Sequence, residues 1–401
     1  MIQNIETDIV VVGAGLVGLS AAIAFAQQGK KVVLVDAKIP TIKLKKAWDE
    51  RVYALTPATE AWLKTIGVWA HVDASRVNPI HAMHIFDDAN ILDKSKVQPL
   101  VLRDEDANLP KLGLIIENQN LMHALWQQLK ALDAKNAAVT VITDAPCQSL
   151  DNTQQQIVIS LANSQQIAAK LLVAADGVDS WVRKQVNISV TKKDFKQTAI
   201  VANFNVEKHH QNVARQWFAP HDVLALLPLP DKIVSIVWSV STERAAQLLA
   251  LSGSELAHNV HARSQAVLGD LTQMGKTQSF SLNQQTVAQL IAERVVIMGD
   301  AAHQIHPMAG QGVNLGFRDV MELSSLALKC HAMQDVGDVM FLRQYERARK
   351  VDIVTMSQLT SGLDGLYASE SGMLKQVRQW GLQQLNAKTT IKKLLIQQVA
   401  A

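Results

Sequence analysis

Residues 8–12 (DIVVV) and 31–36 (KVVLVD) are short, nearly unbroken apolar runs rich in β-branched side chains. Residues 16–28 between them carry helical periodicity up to Gly29, a residue suited to a helix C-terminal cap. Apolar strands parted by a helix predict a parallel sheet covered on both faces. A second helix is predicted over 121–132, with further buried strands over 171–175 and 294–298. The middle of the chain has another texture. Strand candidates at 198–206, 214–218, 223–229 and 233–240 follow closely, parted by Pro220 and by Pro228, Pro230 and Asp231. Connections this short predict antiparallel pairing, since a parallel crossover needs about a dozen residues or more. The pattern predicts a second, antiparallel sheet inserted into the first. After Asp319 it is helical to the end.

Composition narrows the class. The chain has 401 residues, with 39 basic and 36 acidic side chains and a net charge of +3. That length suits two or three domains at about 100–200 residues each. A near-balanced charge argues against a nucleic-acid partner, which calls for a dominating basic surface. Cys147 and Cys330 are the only cysteines, which excludes a disulfide framework and a multi-thiolate zinc site and suits a reducing cytosol. Residues 9–28 carry no charge and approach the roughly 20 apolar residues of a membrane span. Gly13, Gly15 and Gly18 interrupt that run, no basic flank precedes it, and it begins too near Met1 for a signal leader. It reads as a buried strand and helix of a soluble, cytoplasmic enzyme.

Three loops carry chemistry. Gly13-Ala-Gly15-Leu-Val-Gly18 lies between strand and helix, with Asp36 closing the next strand. Gly13 permits a tight turn, Gly15 lets a pyrophosphate approach the backbone, and Gly18 lets helix and strand pack closely. The helix N-terminus offers free N–H groups to phosphate, and Asp36 can accept from ribose hydroxyls. This motif indicates a dinucleotide without separating FAD from NAD. Asp176-Gly177, with Ser180 and Arg183, follows a buried strand, where open α/β sheets bind ligands; an ordinary turn reads equally well. The third loop runs from Gly299-Asp300 through His303, His306 and Pro307 to Gly310-Gln311-Gly312-Val313-Asn314 and Gly316. Asp300 could bond a sugar-alcohol chain. Gly310 and Gly312 expose N–H groups at a helix start, a site for developing negative charge.

These residues resemble the FAD-dependent aromatic hydroxylases of the para-hydroxybenzoate hydroxylase fold, and within them the ubiquinone-biosynthesis monooxygenases. The likeness extends to Asp49-x-Arg51, Ile116-Glu117-Asn118, Arg215–Phe218, Ala225–Pro228, Val237-Trp238-Ser239 and Tyr345-Glu346-Arg347-x-Arg349-Lys350. It implies an α/β (α+β) fold. A Rossmann-like FAD-binding domain would be assembled from 1–76, 112–185 and 281–345, with an antiparallel-sheet substrate domain from 77–111 and 186–280 and C-terminal helices over 346–401. By position, Gly13, Gly15, Gly18 and Asp36 would hold the pyrophosphate and adenosine ribose. Arg51, Asn118, Asp176, Gly177, Gly299 and Asp300 would contact the cofactor, with Pro307, Gly310, Gln311, Gly312, Val313 and Asn314 along the isoalloxazine ring. The implied reaction uses NAD(P)H to reduce FAD, then O2 to form a C4a-hydroperoxyflavin that hydroxylates a polyprenylated phenol. Trp217 and Trp238 are expected in the substrate pocket under the inserted sheet. The alternatives are an FAD oxidase, reductase or halogenase, a hydroxylase of another aromatic, and a weakly FAD-binding scaffold subunit of a quinone-biosynthesis complex.

The remaining polar residues are read more plainly. Asp300, His303 and His306 do not make a metal site, because Pro307 breaks any helix through them. His303 is a candidate proton relay. His209, His210, His258 and His261 are read as solvent-facing. Beyond Glu370 there is no acid, while Lys375, Arg378, Lys388, Lys392 and Lys393 are basic, and Leu374, Val377, Gly381 and Leu385 keep helical spacing. Such a tail either covers the domain or docks at the inner membrane or on partner enzymes.

Overall fold

The computed structural model describes residues 4–39, 43–87, 99–136, 138–305, 310–330 and 334–368, and within the tail 381, 386, 392–393 and 396–397. The first sheet is built on the apolar runs. Asn4–Val12 lies at its centre between Val32–Val35 and Gln166–Ala174, with Val139–Ile142 and Val295–Ile297 outside them, all parallel. The hairpin Cys147–Asn152 and Ile157–Leu161 adds antiparallel strands to Gln166–Ala174. The helices Leu16–Gln27, Asn118–Asn136 and Gly312–Lys329 contribute to one apolar core with this sheet.

Leu16–Gln27 is buried along nearly its whole length, with Leu19, Ile23 and Phe25 fully inaccessible. That explains why the run has no polar face: from residue 9 to 26 only Gly15 and Val17 are not buried. Gly29 follows the helix at φ +76°, a left-handed geometry that suits glycine. Among the described residues no helix is long and apolar enough to cross a membrane.

The second large sheet has eight strands in the order His303–Gln304, Leu271–Val287, Val190–Val206, Ile233–Ser241, Asp222–Leu229, Val213–Ala219, Ala82–Asp87, Leu100–Arg103. Its neighbours are antiparallel except Val213–Ala219 with Ala82–Asp87, which run parallel. Short turns could not predict that pair, because its strands come from distant parts of the chain. One face packs on the helices Thr242–Leu249 and Gly253–Arg263. A three-stranded sheet (Val52–Leu55, Gly113–Glu117, Val77–Ile80) lies beside it, and Asn203 Nδ2 donates to the Asp49 carbonyl at 3.0 Å.

The helical reading after Asp319 needs one break. Gly312–Lys329 ends, and Val339–Ala368 begins after a turn in which Asp335 accepts from Arg294 at 2.6 Å. Of the tail, Ile396 joins a small apolar cluster with Leu100, Leu102 and Ala107. Asn386 bonds Pro99 and Val101, and Lys392 pairs with Asp106 at 3.6 Å. These described tail residues pack on the Leu100–Arg103 strand. Leu374, Val377 and Leu385 lie outside the described residues.

Candidate active site

The glycine loop is shaped by contacts that leave no room for a side chain. A Cβ on Gly13, at φ +104°, would lie 2.3 Å from the Ala175 carbonyl oxygen, and one on Gly18 would lie 1.8 Å from the Gly13 carbonyl oxygen. Close packing thus joins the first loop to the second. Asp36 accepts from the Ala14 N–H at 2.7 Å, so its carboxylate also braces the loop. At the second turn, Asp176 accepts from Val182 N–H at 3.1 Å, and burial pushes its carboxyl up against the pull of Ser180 and the backbone donors.

The third loop is tied to the second by buried side chains. Arg183 donates to the Ala301 carbonyl at 2.6 Å and to the Val178 carbonyl at 2.8 Å, and Gln285 Nε2 reaches the carbonyls of Val178 and Asp300 at 3.3 Å each. Behind the turn, Asp319 accepts from Gly299 N–H at 2.9 Å and Arg349 Nε at 2.7 Å, with His303 Nε2 at 2.6 Å. All three side chains are buried. Burial opposes the charge on Asp319, but His303, Arg349 and the Gly299 N–H outweigh it and hold the carboxyl below its ordinary range. Asp300 itself opens on the cavity while protein surrounds it. Desolvation raises its pKa, and His303 and Arg51 partly offset that.

The loops enclose a cavity of about 660 Å³ together with the second sheet. Gly15, Arg51, Asn118, Gly177, Gly299, Asp300, Gly310, Gly312 and Val313 line it. Arg51 lies over the Tyr53 ring at 5.4 Å and the Phe280 ring at 5.9 Å. Tyr53, also on the wall, donates to Asn118 Oδ1 at 3.3 Å, and burial pushes its phenol up to about 12. The ceiling comes from alternate residues of the sheet: Ala199 and Val201, Ala214 and Gln216, Val223, Ala225 and Leu227, Val237 and Ser239. This face is mainly apolar.

Several expected positions differ from that lining. Trp217 and Trp238 belong to the opposite face of the same strands, in the core shared with the helices Thr242–Leu249 and Gly253–Arg263. Trp217 stacks on Phe86 at 5.0 Å, and Trp238 Nε1 donates to Asp222 at 2.9 Å. The two-residue period of a strand turns adjacent residues to opposite faces, so the pocket positions are Gln216, Val237 and Ser239. His303, the candidate relay, is held on Asp319 and does not line the cavity. Asn314 is committed to protein: it accepts from Thr56 N–H and donates to the Ala54 and Gly310 carbonyls. Gln311 is buried beside the wall. His210 is buried too, with Nε2 2.7 Å from the Leu229 carbonyl oxygen, contrary to a solvent-facing pair. Pro307 and His306 lie outside the described residues.

The wall fits a flavin dinucleotide by a test independent of sequence motifs. Nothing lies within 4 Å of a Cβ built on Gly15, Gly177 or Gly312, although all three line the cavity. Each leaves bare backbone with room for a ligand. Comparison with known proteins agrees. Residues 6–357 match the family described as FAD binding domain. The chain belongs to this family. It is 30% identical to human "Ubiquinone biosynthesis monooxygenase COQ6, mitochondrial" over 97% of this chain and 91% of that one. It is also 30% identical to "Ubiquinone hydroxylase UbiL" of Rhodospirillum rubrum, over 97% and 88%. The fold matches p-nitrophenol 4-monooxygenase PnpA from Pseudomonas putida with a TM-score of 0.77, 16% identity, and coverage of 99% and 98%. The FAD monooxygenase fold implied by the resemblance is therefore present, and the chain is an FAD-dependent monooxygenase.

Sequence reading had passed over Tyr53, Gln216, Gln285 and Asp319. Strand alternation could have selected Gln216. The others depend on contacts between distant segments.

Proposed function

We propose that this chain hydroxylates the ring of a polyprenylated phenol in ubiquinone synthesis, with NAD(P)H as electron donor and O2 as oxidant. The observation that carries the reading is the cavity itself, with glycine loops and Asp300 on one side and an apolar sheet face on the other. A dinucleotide fits the first side and an alkyl-substituted ring the second. The names of the two relatives support a quinone-pathway substrate. Bound FAD, once reduced, supplies the oxygen-transfer chemistry.

The chain's own residues bind and orient. Gly15 and Gly177 would admit the phosphates and ribose, with Asp36 and Asp176 bracing those loops. Asp300 would bond the ribityl chain. Gly310 and Gly312, at the start of the Gly312–Lys329 helix, would present N–H groups and the positive helix end to negative charge on the ring system. The sheet ceiling would keep water from the reacting atoms. We assign contact with the inner membrane or biosynthetic partners to residues of the basic tail beyond Glu370 other than Asn386, Lys392 and Ile396, which pack on the domain. Liposome flotation unchanged by deleting residues 372–401 would remove that assignment.

The test of the reaction uses purified FAD-loaded protein, NAD(P)H, 18O2 and a short-chain prenylphenol. The expected product carries a single labelled ring hydroxyl. NAD(P)H oxidation that gives peroxide alone, whatever phenol is present, identifies an oxidase. An inert protein identifies a scaffold.

A further inference from the structure

The cavity ceiling offers few polar groups. Cross-strand register aligns Gln216 with Ala225, Ala225 with Val237 and Val237 with Val201, so one row of the ceiling is an amide followed by three aliphatic residues. On the same face Met83 aligns with Ala214, and Leu227 also lines the cavity, so these positions are apolar. Gln216 is partly buried, lines the cavity, and makes no side-chain hydrogen bond among the described residues. Its strand neighbours have other tasks. Arg215 donates to the carbonyls of His210 and Val213, and Trp217 fills the core behind the sheet.

An amide on a mainly apolar ceiling loses part of its water contact once a ligand fills the cavity and, without a partner, is then destabilising. Side-chain packing at this position would be served equally by Leu or Met. The amide has a use if the bound molecule brings a hydrogen-bonding group to that place in the row. Resting on the proposed ring hydroxylation, we infer that Gln216 is a specificity-determining residue that hydrogen-bonds the phenolic hydroxyl of the substrate. The Val201–Val237–Ala225 stretch takes the apolar part of the ring. The amide can accept the hydroxyl proton through Oε1 or donate to its oxygen through Nε2. A site built in this way rejects an otherwise similar molecule lacking the hydroxyl, because the amide is then left unpaired.

The experiment titrates oxidised holoenzyme with a short-chain prenylphenol and with the matching prenylbenzene, following the perturbation of the flavin absorbance. The wild type is expected to bind the phenol about tenfold more tightly. In Gln216→Met that ratio collapses towards one, and KM for the phenol rises with a smaller change in kcat. Gln216→Glu, which keeps the length and an acceptor, retains part of the preference. FAD content and thermal midpoint establish that each variant is folded, and Gln216→Leu stands in if Gln216→Met is not. A folded apolar variant that keeps the tenfold discrimination overturns the inference and leaves ring hydroxylation standing. A wild type that binds both molecules equally overturns it too. Failure of the wild type to hydroxylate any prenylphenol is a different result, and it removes the reaction on which the inference rests.

Discussion

At the scale of single residues, the site depends on what cannot be enlarged and on what cannot be left unpaired. Gly13 combines φ +104° with a Cβ position 2.3 Å from a carbonyl oxygen. Gly13→Ala must therefore shift the loop against Ala175, and we expect at least about tenfold weaker FAD binding, measured by fluorescence titration of the apoprotein. Asp319 is the opposite case, a buried carboxylate with partners on several sides. Asp319→Ala leaves Arg349 Nε and His303 without their buried partner, although Arg349 keeps Asp352, and about 3 kcal/mol of stability should be lost in urea unfolding. The importance of Gly13 was legible in the sequence, since a strand–turn–helix with this glycine spacing has few other uses. The role of Asp319 was not. Its partners come from two other segments, the loop carrying Gly299 and His303 and the helix carrying Arg349, and only folding brings them to one carboxylate.

At the scale of elements, the alternation of each strand decides which residues meet substrate. The apolar runs marked the strands of the inserted sheet, and their spacing gave the antiparallel pairs. Choosing a face was harder, because both faces are apolar: one covers the cavity and the other covers two helices. Large aromatic side chains then mark the core and small aliphatic ones the pocket. Trp217→Phe should lower the urea midpoint by the equivalent of about 1–2 kcal/mol, yet leave the ratio of product formed to NAD(P)H consumed unchanged. A marked loss of coupling in that variant would return Trp217 to the pocket. The parallel pairing of Val213–Ala219 with Ala82–Asp87 stayed hidden for a related reason: its register is set by strands more than a hundred residues apart in sequence.

Across the whole molecule, one buried charge cluster links the flavin side to the long C-terminal helix. Asp319 holds Gly299 and His303 on one side and Arg349 of Val339–Ala368 on the other, and Arg349 also pairs with Asp352 at 2.6 Å. A carboxyl depressed in the folded state contributes stability above its unfolded pKa of about 3.9 and loses it as pH falls through the lower folded value. Urea midpoints should therefore drop steeply below about pH 4 in the wild type. In Asp319→Asn they should start lower at neutral pH and fall less on acidification. An equally steep fall in both proteins would show that the acid sensitivity arises elsewhere.

Three turns, at Gly13, Asp176 and Asp300, are proposed to grip one FAD beneath the sheet. A structure of the protein with FAD and a short-chain prenylphenol tests this most directly. It should show the phosphates at Gly15, the ribityl chain at Asp300, and the phenol between the isoalloxazine ring and the Gln216–Val237 face. FAD bound without contact to any one of those turns, or a phenol seated outside the cavity, would contradict it.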